Sequence, residues 1–193
     1  MGGGNSTYSS TNGVLCNKSQ STLIQCPEGK TGAYTIPDTV TNIGAYAFSS
    51  CTGLTGISIG NGVISIGSYA FQYCYGLSEI TVSGDNSAYS STNGVLFNNG
   101  QTTLIQCPAS KAGSYVMPDS VLTIGDYAFQ SCTSLTGVVI GNSVSRIGNY
   151  AFYGCDSLGH IALPNSVVNI GGGAFTSCDN LSRVLIPNSV TNI

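Results

Sequence analysis

The stretch from Ile140 to Ala162 reads I-G-N-S-V-S-R-I-G-N-Y-A-F-Y-G-C-D-S-L-G-H-I-A. Its neighbours repeat the pattern I-P/G-x-x-V-x-x-I-G-x-x-A-F-x-x-C-x-x-L-x-x-I-x, starting at Ile36, Ile59, Met117, Ile140 and Leu163 and, cut short, at Ile186. Adjacent copies are 23 residues apart. A fixed short period marks a solenoid: one unit cannot bury its apolar face alone, so neighbours stack and bury it for one another.

Outward from that stretch, residues 1–81 align with 82–162 without a gap and agree at more than half of the positions. Each half opens with a long coil, followed by two standard ones. The chain divides into coils 1–35, 36–58, 59–81, 82–116, 117–139, 140–162 and 163–185 and the fragment 186–193, about eight turns of one solenoid over 1–193. In the second long coil, Val95-Leu96-Phe97, the turn Asn98-Asn99-Gly100 and Thr103-Leu104-Ile105 predict a β-hairpin, with Asn-Gly supplying the positive φ of a tight turn. The first long coil has Lys18-Ser19 in the turn, which places Cys16 opposite about Ser21.

Within each coil, L-x-x-I-x-I is the strand signal, as in Leu135, Val138, Ile140 and Leu158, Ile161, Leu163. Its last two apolar residues are two apart and face inward together. Stacking sets these strands side by side in parallel, about 4.8 Å apart. A Val and an Ile three residues apart then point inward from the far wall. The glycine after that Ile (Gly44, Gly67, Gly125, Gly148, Gly171) suits a sharp turn or a left-handed backbone. The x-x-A-F-x-x-C segment is too short for a free helix and reads as one helical or 3-10 turn held by its buried Phe; Gln130 within it is expected to face solvent.

Six copies of L-x-x-I-x-I joined to A-F-x-x-C-x-x-L and I-P-x-x-V-x-x-I-G resemble the BspA-like, or Treponema-type, leucine-rich repeat family over essentially the whole chain. The T-N-G-V-L-F-N hairpin of the long coils is similar to an element of that family. The usual Asn nine residues into the commoner repeat classes is absent, so no Asn ladder follows. The resemblance implies a repeat solenoid with a parallel β-sheet on its concave face and short turns and loops elsewhere. It also implies secreted or surface-exposed proteins, several of them adhesins, and no enzyme chemistry.

Composition narrows the function. Charged residues are only 7% and the net charge is -3, without the clustered basic surface that nucleic acid requires. No apolar run approaches the roughly 20 residues of a membrane span. Low charge with abundant Ser, Thr, Asn and Gly suits an extracellular or cell-surface location, with an export signal outside this segment. Five cysteines (Cys51, Cys74, Cys132, Cys155, Cys178) hold one coil position and there is no C-x-x-C pair. A ladder spreads its thiols along an axis, whereas zinc needs four converging groups, so buried structural thiols are expected and no cofactor or metal. His160, the single histidine, lies at an outward strand position without a nucleophile at motif spacing. The eight acidic residues are scattered; Asp156 and Asp179 share a phase and are read as exposed loop acids.

The outward strand positions are the expected binding surface, because a solenoid lines one long face with its strands. The residues singled out are Ser78, Glu79, Thr81, Thr136, His160 and Arg183. The function this predicts is non-enzymatic recognition or adhesion toward a protein or glycan. The alternative is a structural spacer or scaffold that stacks end to end with its own kind.

Overall fold

The computed structural model describes residues 4–193; the opening of the first long coil, 1–3, lies outside the described residues. Strands supply the regular structure throughout. The first long coil carries β1 (Tyr8–Thr11), β2 (Val14–Asn17), β3 (Thr22–Gln25) and β4 (Gly32–Thr35). Two standard coils add β5 (Asn42–Ile43) and β6 (Leu54–Ile59), then β7 (Ser65–Ile66) and β8 (Glu79–Val82). The second half repeats the order with β9 (Tyr89–Thr92), β10 (Val95–Asn98), β11 (Thr103–Gln106), β12 (Gly113–Val116), β13 (Thr123–Ile124) and β14 (Leu135–Val139). It continues with β15 (Arg146–Ile147), β16 (His160–Ala162), β17 (Asn169–Ile170) and β18 (Arg183–Leu185).

The L-x-x-I-x-I segments form one wall. There β4-β6-β8, β12-β14 and β16-β18 pair in parallel, in register from coil to coil. The V-x-x-I segments form the far wall as two-residue strands, which continue the parallel ladders β3-β5-β7 and β11-β13-β15-β17. Ile57 and Ile80 from the first wall share one buried cluster with Val40 and Val63 from the second, and Ile161 shares the other with Val144. Between the walls the phenylalanines stack, Phe48 on Phe71 at 5.7 Å, Phe129 on Phe152 at 4.8 Å and Phe152 on Phe175 at 5.4 Å between ring centroids. Such offset stacking adds to the area each ring buries.

The strand wall is not one continuous sheet. Between β8 and β12 the second long coil inserts β9 and β10, whose backbone takes over the edge: the Ile80 amide donates to the Gly94 carbonyl at 2.8 Å. That insertion also divides the core. Leu96 packs toward the first half, while its neighbours Val95 and Phe97 pack toward the second, as strand alternation requires.

The long coil is a three-stranded meander, one strand more than the sequence predicts. β10 pairs antiparallel with β11, as expected, and also with β9. The tight turn with both central φ positive is Asn93-Gly94, at 53° and 77°, and in the first half Asn12-Gly13. In the Asn98–Gln101 loop only Gln101 has positive φ, and the Asn98 carboxamide closes the loop by accepting from the Thr102 and Thr103 amides at 2.9 Å. In the first long coil Cys16 pairs with Leu23 rather than about Ser21, because the loop runs from Asn17 to Thr22, closed by the Asn17 carboxamide accepting from the Thr22 amide at 3.0 Å.

Two further expectations change. Among the described residues the A-F-x-x-C segment forms no helix. Tyr46 and Ser50 sit at φ 58° and 61°, and the same two coil positions are left-handed at Tyr69 and Tyr73, Tyr127 and Ser131, and Tyr150 and Gly154. Left-handed residues interrupt any helix, and alternate amides are drawn to the next coil instead: Phe48 donates to the Ala70 carbonyl at 2.8 Å while Ser49 donates back to Tyr46 at 2.9 Å. The glycines after the inward Ile are not the left-handed positions. A Cβ at Gly67, Gly148 or Gly171 would collide with the backbone of Ala45, Asp126 or Asn149 in the preceding coil. These glycines permit close stacking.

Candidate functional site

All six residues singled out from the sequence are exposed on the strand wall. The structure brings them together in two groups, separated by the inserted meander. Ser78, Glu79 and Thr81 belong to the first half, where the Ser78 hydroxyl donates to the Thr55 carbonyl at 2.8 Å and Thr81 to the Ser58 hydroxyl at 3.1 Å. Glu79 stands opposite Gly56, which has no side chain to meet it. Thr136, His160 and Arg183 belong to the second half. His160 and Arg183 are direct cross-strand neighbours on β16 and β18.

The second-half surface has more relief than the sequence reading gives it. β12 pairs with β14 and β16 with β18, but β14 and β16 share no ladder. A hollow of about 450 Å³ opens between them, lined among others by Ser114, Val139, Asn142, His160 and Ala162. Val116 and Val139 are paired, and so are Ala162 and Leu185. Val116, Val139 and Leu185 are 66%, 54% and 46% exposed, so an apolar row runs beside the His160–Arg183 pair.

A second surface was missed. Tyr46, Tyr69, Tyr127 and Tyr150 form an outer ladder with successive ring centroids 5.1, 5.0 and 5.2 Å apart. The signal was present, since all four hold the position before A-F. Its meaning depended on the left-handed backbone that turns them outward together. Within each half the rings stack, at 18° and 19°; across the junction Tyr69 and Tyr127 meet edge to face at 70°. Beneath that pair lies a hollow of about 240 Å³, with Phe71, Gln72, Gln106 and Gln130 in its lining. Gln130, expected in solvent, is only 6% exposed.

The cysteines extend further than the repeat position. Cys26 and Cys107 of the long coils join the ladder, since the Cys51 thiol donates to the Cys26 carbonyl at 3.7 Å and Cys132 to the Cys107 carbonyl at 3.9 Å. Cys74, Cys155 and Cys178 donate to the carbonyls of Phe48, Phe129 and Phe152 at 3.0, 3.1 and 3.0 Å. Each thiol thus satisfies a carbonyl of the coil before it. Burial pushes the Cys74 thiol up to about 12. Hydrogen bonding to Cys107 and burial raise Cys132. Cys178, half-buried, is lowered by the hydrogen bond from Cys155. Among the described residues no group of three or more His, Cys, Asp or Glu side chains is placed to hold a metal ion, and no helix is long and apolar enough to cross a membrane.

The family described as BspA type Leucine rich repeat region matches residues 28–111 and 107–193, with six copies. No curated protein matches. Among solved structures, the pneumococcal vaccine antigen PcpA is similar over 83% of this chain and 46% of its own, at 26% identity and a TM-score of 0.74. A leucine rich cell surface protein from Faecalibacterium prausnitzii A2-165 is similar over 90% of this chain and 55% of its own, at 30% identity and 0.56. A leucine-rich repeat protein from Bacteroides ovatus ATCC 8483 covers 95% and 52%, at 25% and 0.52. The chain spans about half the length of these three proteins. With its repeat pattern, its parallel two-walled stack and this match over most of its length, the chain belongs to the BspA-type leucine-rich repeat family.

Proposed function

We propose that this chain is a non-enzymatic recognition module of the cell surface or exterior, which binds a protein or glycan through the strand wall of its second half. The observation that carries this reading is the His160–Arg183 pair beside an open hollow and an exposed apolar row. Interfaces combine an apolar centre with a polar rim in this way. The name of the Faecalibacterium relative, a cell surface protein, and that of the pneumococcal antigen support the location. The first-half residues Ser78, Glu79 and Thr81 offer a second, polar surface on the other side of the meander. The competing reading is a spacer or scaffold that stacks end to end.

Capture of purified extracellular proteins and glycans by the immobilised chain separates the two. The double variant H160A/R183A removes both polar side chains at exposed positions, where substitution leaves stability within about 0.5 kcal/mol. Under the recognition reading it loses capture at an unchanged melting temperature. Equal capture by the variant and the parent chain counts for the spacer.

A further inference from the structure

The outer turns of this solenoid are joined coil to coil by a regular backbone ladder, and the ladder has one gap. In coil 36–58 the amides of Tyr46, Phe48 and Ser50 donate to the carbonyls of Ser68, Ala70 and Gln72 at 3.1, 2.8 and 2.9 Å. In coil 117–139 the amides of Tyr127, Phe129 and Ser131 donate to Asn149, Ala151 and Tyr153 at 3.0, 2.7 and 2.7 Å. The equivalent donors of coil 59–81 are the amides of Tyr69, Phe71 and Tyr73, and these have no backbone acceptor among the described residues. The coil that follows them is the second long coil, which carries Ile105-Gln106-Cys107-Pro108 in place of an A-F turn. Across the gap, the Cys107 amide takes the Ala128 carbonyl at 2.6 Å, while the carbonyls of Asp126 and Gln130 accept no backbone amide.

The hollow of about 240 Å³ lies in this gap, between a wall of donors and a wall of acceptors. Phe71 is only 5% exposed, so its amide has little access to bulk solvent. Gln130, 6% exposed and lining the same hollow, makes no side-chain hydrogen bond to the described residues. Backbone donors on one wall, with the Asp126 carbonyl and the open Gln130 carboxamide on the other, suit a ligand that brings both donors and acceptors. The aromatic edges of Tyr69 and Tyr127 close its outer side.

We propose that the junction between the two halves is a binding site for a short peptide of a partner protein, held in the turn shape that the A-F segments take elsewhere in the stack. Its carbonyls accept from the Tyr69 and Phe71 amides, and its amides face the Asp126 carbonyl and the Gln130 carboxamide. In the other coils the donors at these positions meet a turn segment whose alternate carbonyls, Ser68, Ala70 and Gln72 or Asn149, Ala151 and Tyr153, accept from them, so a peptide of that turn shape presents carbonyls at the spacing of the Tyr69 and Phe71 amides. Backbone pairing of an added segment with an open row of backbone groups is a general mode of peptide recognition. Cys107 holds the middle rung of the far wall, so the gap admits a short segment and not a whole turn. The site stands apart from the strand wall and does not depend on that reading.

The test uses the full chain, labelled with ¹⁵N, and the capped tetrapeptide acetyl-Asn-Tyr-Ala-Phe-amide, the sequence of residues 149–152, which serves the ladder elsewhere. The expected result is a saturable shift of the Tyr69 and Phe71 amide resonances, with exchange of the Phe71 amide slowed about tenfold at saturation. The same titration of Gln130→Trp, which fills the hollow, shows no shift. The proposal is overturned if the two amides of the parent chain do not move at about 10 mM peptide, a weak but measurable range of affinity. It is equally overturned if a folded Gln130→Trp variant responds like the parent, or if maltotriose moves these amides and the peptide does not, which makes the junction a sugar site.

Discussion

Phe129 shows how much one residue contributes to a stacked fold. Its ring is fully buried between Tyr115 and Phe152, with centroids at 5.9 and 4.8 Å. Phe129→Ala is expected to cost about 3–5 kcal/mol, the range for removing a buried aromatic ring. Thr133→Ala, at an exposed position of the same coil, should leave the denaturant midpoint unchanged, and an equal loss from both would contradict the assigned packing. The buried thiols and phenols make a separate prediction in alkali. A group whose folded pKa is raised stabilises the fold below its unfolded pKa, and that contribution is lost as the pH rises toward the folded value. For Cys74 the window runs from 9.0 to about 12, and for Tyr34, also raised by burial, from 10.0 to about 12. Melting temperature should therefore hold from about pH 6 to 8 and fall above about pH 9. Cys74→Ala should flatten the first part of that fall, and a parent chain equally stable at pH 8 and pH 10.5 would argue against a buried thiol.

At the scale of the element, coil stacking is limited by glycine. Gly148 follows the inward Ile147 and lies against the backbone of Gly125 and Asp126 in the coil before it. Its φ is not positive, so substitution strains contact and not conformation. Gly148→Ala forces the two coils apart where the Gly148 amide donates to the Ile124 carbonyl at 2.8 Å, and overpacking of this kind typically costs about 1–3 kcal/mol. Gly159→Ala, where an added Cβ meets nothing within 4 Å, is the matched control. Hydrogen exchange should show faster opening of β13 and β15 in the first variant only; uniform exchange in both would mean the stack accommodates the methyl group.

Across the whole molecule the repetition sets closed and open versions of the same surfaces side by side. Phe71, Leu77 and Ile80 are closed over by the second long coil, at 5%, 1% and 0% exposure. The residues at the same repeat positions of coil 163–185, Phe175, Leu181 and Val184, are only partly buried. Leu96 is likewise fully buried where its counterpart Leu15 is not. Apolar faces of this kind and open sheet edges favour association. Light scattering of this chain should give a mass that rises with concentration, and Leu15→Asp should suppress the rise; a mass independent of concentration would show that both faces are satisfied within one chain.

The period, the inward positions of both walls and the hairpin β10–β11 were legible in the residues, because side-chain alternation and a repeat every 23 positions depend on local geometry that each coil states again. So was the exposure of Ser78, Glu79, Thr81, Thr136, His160 and Arg183. Gln130 was not legible: its burial follows from the neighbouring long coil, which lacks the turn that would otherwise stand beside it. The tyrosine ladder depended on left-handed backbone at non-glycine residues, which no local preference favours. The unpaired amides of Tyr69 and Phe71 arise where a long coil meets a standard one. Repetition determined the fold coil by coil, whereas the sites arose where repetition was broken, and a break is a relation between neighbours that only the stacked chain brings into contact.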